Sequence, residues 1–165
     1  MTLHSFIEYL KYKWKAKSRH GVHSPFVYDL IDHVLLDKGY IKKEDVIKCP
    51  AVALKYENLI CRIAVYYNYR DIVQIPVVAE SKTVDMLLIN GKPNEWPTLL
   101  NEHLHLLKNE SVVVITNIHN TTAHSTAWKK IIAHDNVRMS IDLYEIGLLF
   151  FKEEFKEKQH FVLKY

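Results

Sequence analysis

Apolar positions recur at helical spacing from the start of the chain. Leu3, Phe6, Ile7, Leu10 and Trp14 fall on one face of a first helix. Such a stripe is expected to dock on the body of the protein, with the intervening lysines facing water. Ser24-Pro25 is a second start signal. Serine caps open N–H groups, and proline has none to leave unpaired at the first helical position. The stripe Phe26, Val27, Leu30, Ile31, Val34 and Leu35 follows, with Gly39 as its stop. Tyr56, Leu59, Ile60, Ile63 and Tyr67 predict a third helix.

From residue 71 the pattern changes. Ile72–Val78 and Val84–Ile89 read as strands. Val112–Thr116 is nearly all apolar, as expected of a strand covered on both faces. A helix over Pro97–Lys108 separates the last two, and a second, over Thr122–His134, follows. Arg138–Leu143, Gly147–Phe151 and His160–Tyr165 complete the pattern as strands. Strand–helix alternation predicts an α/β sheet with parallel pairing, and the short turn between the closing strands predicts antiparallel pairing at that end. Pro76 cannot donate to a ladder, which places the strand around it at an edge. Ala79–Thr83 is too short for an ordinary parallel crossover. The first two strands are therefore expected to form an antiparallel hairpin, unless the first pairs elsewhere or on another chain.

At 165 residues the chain fits a single domain, 1–165, with a helical part over 1–68 and a sheet part over 71–165. The balance of 48% hydrophobic and 25% charged residues is that of a globular protein and excludes a disordered tail. Only four glycines occur, no two within fifteen residues, which excludes glycine-rich phosphate cradles of the dinucleotide and P-loop types. Cys49 and Cys61 are too few for a disulfide framework, so the expected setting is cytoplasmic. No segment is apolar for long enough to span a membrane. The net charge is +3, but residues 1–20 hold five Lys or Arg against one acid, which leaves the remainder at −1.

Arg19-His20-Gly21-Val22-His23-Ser24-Pro25-Phe26-Val27-Tyr28, Val84–Thr98, Ser111–His119, Ile141–Phe151 and His160–Tyr165 together resemble a bacterial family of class I S-adenosylmethionine-dependent methyltransferases of the O-methyltransferase type. These are the best-matching pieces of a resemblance that takes in nearly everything from Val84 to Tyr165 and, with Arg19–Tyr28, covers over half of the chain. The resemblance implies a reduced Rossmann-like (class I methyltransferase-like) α/β sandwich. Its mixed sheet would have five to six strands, antiparallel C-terminal strands, and two or three helices ahead of it.

The departures from the family carry as much information. The family's glycine loop, ribose-binding acid and third strand have no counterpart between Asp71 and Val84. Asn90 stands where the family ends its fourth strand in Asp, and Thr116-Asn117 stands where the fifth ends in Asp-Asp. Neutral amides lack the anionic oxygen a hard cation needs and the titratable group a general base needs. The resemblance then implies a degenerate, non-catalytic protein with no cofactor and no metal, with Asn90, Gly91 and Asn117 as vestiges of the cofactor site. It would act through protein contacts, for instance as a homodimer through the sheet edge at Ile72–Val78 or by strand exchange about Ala79–Thr83.

Two alternatives stand beside this reading. One is an active O-methyltransferase with S-adenosylmethionine held in an atypical or dimer-completed site. The other is a polyanion-binding module built on the lysines of the first helix, with nucleic acid or an anionic membrane as partner. The −1 charge of the remainder argues against this module, because the totals show no second basic patch, and nucleic acid is not the expected partner.

Smaller constellations have structural as well as functional readings. Arg19, His20, His23 and Ser24 form a candidate anion site at a helix start, or else a helix–helix corner turned by Gly21. Asn90-Gly91 reads as a strand-to-helix loop, followed by a capping Glu95 and a packed Trp96. His103 and His105 are two apart and point in different directions. His119 and His124 have no acid or cysteine at ligand spacing, so no metal site is expected. Cys61 reads as a buried helical thiol.

Overall fold

A computed structural model describes residues 2–36, 54–75 and 83–165. Among the described residues, three α-helices precede the sheet: α1 (Leu3–Lys15), α2 (Pro25–Leu30, continued by a π-type turn over Ile31–Leu35) and α3 (Leu54–Tyr66). The strands are β1 (Ile72–Ile75), β2 (Val84–Ile89), β3 (Leu107–Thr116), β4 (Met139–Asp142), β5 (Ile146–Phe150) and β6 (Gln159–Val162). Helix α4 (Trp96–His103) joins β2 to β3, and α5 (Thr122–Ile132) joins β3 to β4. The six strands form one mixed sheet in the order β1-β2-β3-β5-β4-β6.

Both faces of this sheet are buried, which is why its strands are almost continuously apolar. Met86, Leu88, Val112, Val114 and Phe150 face α2 and α3 through Val27, Leu30, Leu59, Ile60 and Ile63. Leu87, Ile89, Val113, Ile115 and Leu149 face α4 and α5 through Trp96, Leu100, Trp128 and Ile131. Local signals set the helix starts. Ser24 caps α2 by accepting from the Val27 N–H, with Pro25 at the first helical position, and the Thr121 side chain caps α5. Gly147 lies in β5 against Trp128 of α5; a Cβ there would come within 2.5 Å of two ring carbons.

Four expectations are corrected. First, β1 and β2 are parallel, Ile72 opposite Met86 and Ile75 opposite Ile89. The dozen-residue rule describes crossovers that contain a helix. Residues 76–83 can reach about 26–29 Å when extended, whereas the return from Ile75, which stands opposite Ile89, to Val84 needs only about 17 Å. β1 does stand at the sheet edge; Pro76 to Val78, like Gly39 and Cys49, lie outside the described residues.

Second, only β5 is reversed among the closing strands. β4 pairs antiparallel with β5, but β6 adds in parallel on the other side of β4. Third, β3 starts at Leu107, five residues before the apolar run, because Leu107 pairs with Val84 ahead of a register shift. Fourth, α1 docks by the face opposite its apolar stripe. Ser5, Tyr12 and the following Ala16 are buried, whereas Leu3, Phe6, Ile7, Leu10 and Trp14 are exposed. Hydroxyls decide the orientation: Ser5 and Tyr12 find hydrogen-bond partners on the body.

Candidate functional site

The polar residues that converge do so at the carboxyl ends of the strands. Ile89 and Ile115 are register partners, so Asn90 and Thr116-Asn117 emerge side by side. The Asn90 N–H continues the ladder by donating to the Ile75 carbonyl (3.0 Å), and its side chain is exposed. Gly91 is needed for space: a Cβ would meet Leu99 Cδ1 at 2.9 Å. Its carbonyl accepts from the Trp96 indole (3.0 Å), and Glu95 caps the Lys92 N–H (3.1 Å). This is the strand-to-helix loop expected from the sequence.

Asn117 adopts a left-handed conformation (φ 60°), one that asparagine tolerates better than most residues. Its N–H donates to the Glu145 carbonyl, and its Oδ1 accepts from the Tyr56 hydroxyl at 2.8 Å. The amide at the end of β3 is therefore committed to α3 and to the β4–β5 turn. Ligand crevices of open α/β sheets form where neighbouring strands send their connections to opposite sides. β1, β2 and β3 stand in sequence order from the edge, so the described strands contain no such crevice.

Two residues beyond Asn117, His119 organises a buried polar network. Its Nε2 lies 2.7 Å from Asp142 Oδ2, and its Nδ1 lies 3.1 Å from Ser125 Oγ. His4 Nε2 of α1 reaches the same Ser125 oxygen at 3.1 Å. Glu8 Oε2 stands 4.0 Å from His119 Nδ1. Burial pushes the Glu8 carboxyl up, but the Lys11 ammonium, with smaller help from His119 and His4, holds it below the usual carboxylate range.

Asp142 also accepts from the Tyr144 N–H (2.8 Å), which stabilises the left-handed Tyr144 (φ 70°) in the β4–β5 turn. A Ser–His–Asp chain is the arrangement that activates a hydroxyl nucleophile. Here Ser125 is 4% exposed, its oxygen is shared by two histidines, and α1 covers it. The network fastens α1 to the strand ends.

Beside it lies a cavity of about 380 Å³ lined by Tyr9, Tyr12, Tyr56, Tyr144, Glu145 and Tyr165, among others. Most of the tyrosine hydroxyls are fixed. Tyr12 donates to the Leu163 carbonyl (2.6 Å), Tyr144 to the Ser5 carbonyl (2.6 Å), Tyr56 to Asn117, and Tyr165 accepts from Arg62 (2.8 Å). The pocket wall thus consists of rings set in place from behind.

The other sequence candidates resolve separately. Arg19 forms a two-pronged pair with Asp32 (2.7 and 2.8 Å) and lies over the Tyr28 ring. Ser24 is used as a cap, and His20 and His23 are exposed. The segment is thus built as the helix corner, with the Arg19 fork turned to a carboxylate. His103 Nδ1 binds the Leu99 carbonyl (2.8 Å), and burial lowers the His124 pKa. Cys61 is buried in α3. No group of three or more metal-ligating side chains occurs among the described residues, and no helix there is long and apolar enough to cross a membrane.

The His119–Asp142 pair was not visible in the sequence, because its partners are 23 residues apart on different connections. The available signal was positional: both stand just past, or at, the carboxyl end of a predicted strand, where polar side chains of α/β sheets gather. Comparison with protein-family models, with curated proteins and with solved structures finds no match to this chain.

Proposed function

We propose that this chain is a methyltransferase-like, Rossmann-like α/β protein that has lost cofactor binding and methyl transfer and acts through the surfaces it presents to partners. The commitment of the Asn117 amide to the Tyr56 hydroxyl carries this reading. Where the resembled family keeps carboxylates for a metal and for proton removal, this chain has a neutral side chain already used to hold its own helix. The exposed, equally neutral Asn90 beside it agrees, as does a sheet whose parallel strands run in sequence order from the edge. Neither amide can accept a substrate proton.

The test is calorimetric titration with S-adenosylmethionine and S-adenosylhomocysteine. No heat of binding is expected at millimolar ligand. Micromolar binding refutes the proposal and favours the O-methyltransferase alternative. The edge position of β1 supports self-association as one mode of contact. Sedimentation velocity across a concentration series checks it, and a monomer throughout rules that mode out.

A further inference from the structure

The outward face of α1 is the one a helix ordinarily buries. Leu3 is 76% exposed, Leu10 52% and Trp14 87%, with Phe6 and Ile7 beside them. At about 100° per residue, these five side chains occupy one arc of roughly 100°. Lys11 and Lys13 stand on its two borders, each about 80° from its centre. Ser5 and Tyr12, which fasten α1 to the body, point the opposite way. Lys15 and Lys17 extend the positive charge beyond Trp14, and all four lysines are exposed. Glu8, the only acid of α1, is turned inward between Lys11 and His119.

We propose that α1 is an in-plane anchor for an anionic lipid bilayer. An apolar arc bordered on both sides by lysines matches such a surface. Leu3, Phe6, Ile7, Leu10 and Trp14 enter the boundary between headgroups and acyl chains. Lys13 bends its ammonium group back to the headgroups, Lys11 stays paired with Glu8 at 2.7 Å, and Lys15 and Lys17 add attraction to the anionic surface. The opposite face stays docked, so the body rides on the membrane without spanning it. Charge selects this occupant over the others. A second copy would offer no exposed acid from its own α1 to meet these lysines, since Glu8 is turned inward, and a nucleic acid would use the lysines but leave the apolar arc in water.

The test uses the full chain with vesicles of phosphatidylcholine alone and of equimolar phosphatidylcholine and phosphatidylglycerol. Of the three tryptophans, Trp96 and Trp128 are buried, so emission changes report Trp14. Co-sedimentation with the anionic vesicles is expected, with a shift of Trp14 emission to shorter wavelength and much weaker binding to the neutral ones. Replacing Lys13→Gln and Lys15→Gln together should lower the partition coefficient on the order of 25-fold, at about fivefold per lysine.

Leu10→Ser and Trp14→Ser should each weaken binding and leave the circular dichroism unchanged. The proposal is overturned if the unmodified chain binds neither vesicle, or if both serine variants bind as well as it does. Lipid-free self-association that Leu10→Ser abolishes assigns the face to a second copy and overturns it too.

Discussion

Replacing Gly147 by alanine tests how closely α5 approaches the sheet. The added Cβ would meet Trp128 Cη2 and Cζ3 at 2.5 Å and Cε3 at 3.1 Å, roughly 1 Å inside ordinary carbon contact distances. Trp128 is 2% exposed and cannot swing into solvent, so the ring and its helix must move outward. Overpacking of this kind costs about 1–3 kcal/mol, and two contacts on a rigid ring place this case near the upper end. The glycine-to-alanine change recovers about 0.4–1 kcal/mol by restricting the unfolded chain. The net expectation is a loss of about 2 kcal/mol, or about 4–8 °C in Tm for a chain of this size.

Chemical and thermal unfolding measure it, with Gly21→Ala as the control. The atoms nearest that Cβ are Lys17 methylenes, at 3.3–3.4 Å, and the change should alter stability by less than about 0.5 kcal/mol. A smaller ring relieves the clash, so Trp128→Phe in the Gly147→Ala background should cost less than the two changes separately. Equal Tm values for Gly147→Ala and the unmodified chain, or strict additivity in the double variant, would refute the reasoning.

Asp142→Ala should destabilise by about 3 kcal/mol, because His119 and the Tyr144 N–H both lose a charged acceptor in a buried site; urea unfolding checks it, and a loss below about 1 kcal/mol contradicts the network. For acid sensitivity, His160 is an exposed residue of β6, but its ring meets the buried Ser140 hydroxyl at 2.8 Å and desolvation there lowers its pKa from the ordinary 6.5, so the folded state takes up its proton later than the unfolded chain does. Its contribution is intact above pH 6.5 and declines as pH falls from there toward the lowered value. His160→Asn should flatten Tm against pH in that window, and an unchanged slope counts against this origin.

Much of the architecture was legible because it rests on local rules. The Ser24-Pro25 start, the four-residue apolar run of β3 and the stripes of α4 and α5 each specify an element without reference to distant residues. What escaped notice depends on pairings between distant segments. Periodicity identifies which residues of α1 share a face, but the side that docks is chosen by Tyr12 and Ser5, whose partners lie 151 and 139 residues away. The β1–β2 direction depends on the reach of a link, which composition does not reveal. At the candidate site, Asn90 and Asn117 could be placed from the ends of strands. Tyr56 could not, because a tyrosine on a helical stripe looks like core until its hydroxyl is seen to meet an amide.

The bond between Tyr12 and Leu163 and the pairing of Lys17 with Leu163 join segments about 150 residues apart in the chain. Chains emerge from the ribosome N-terminus first, so α1 must wait for those intervening residues before its docking site exists. Throughout that interval both of its faces are open. A helix that can settle on a lipid surface by one face alone would be able to meet that surface before the domain has closed, so attachment and completion of the fold need not follow a fixed order.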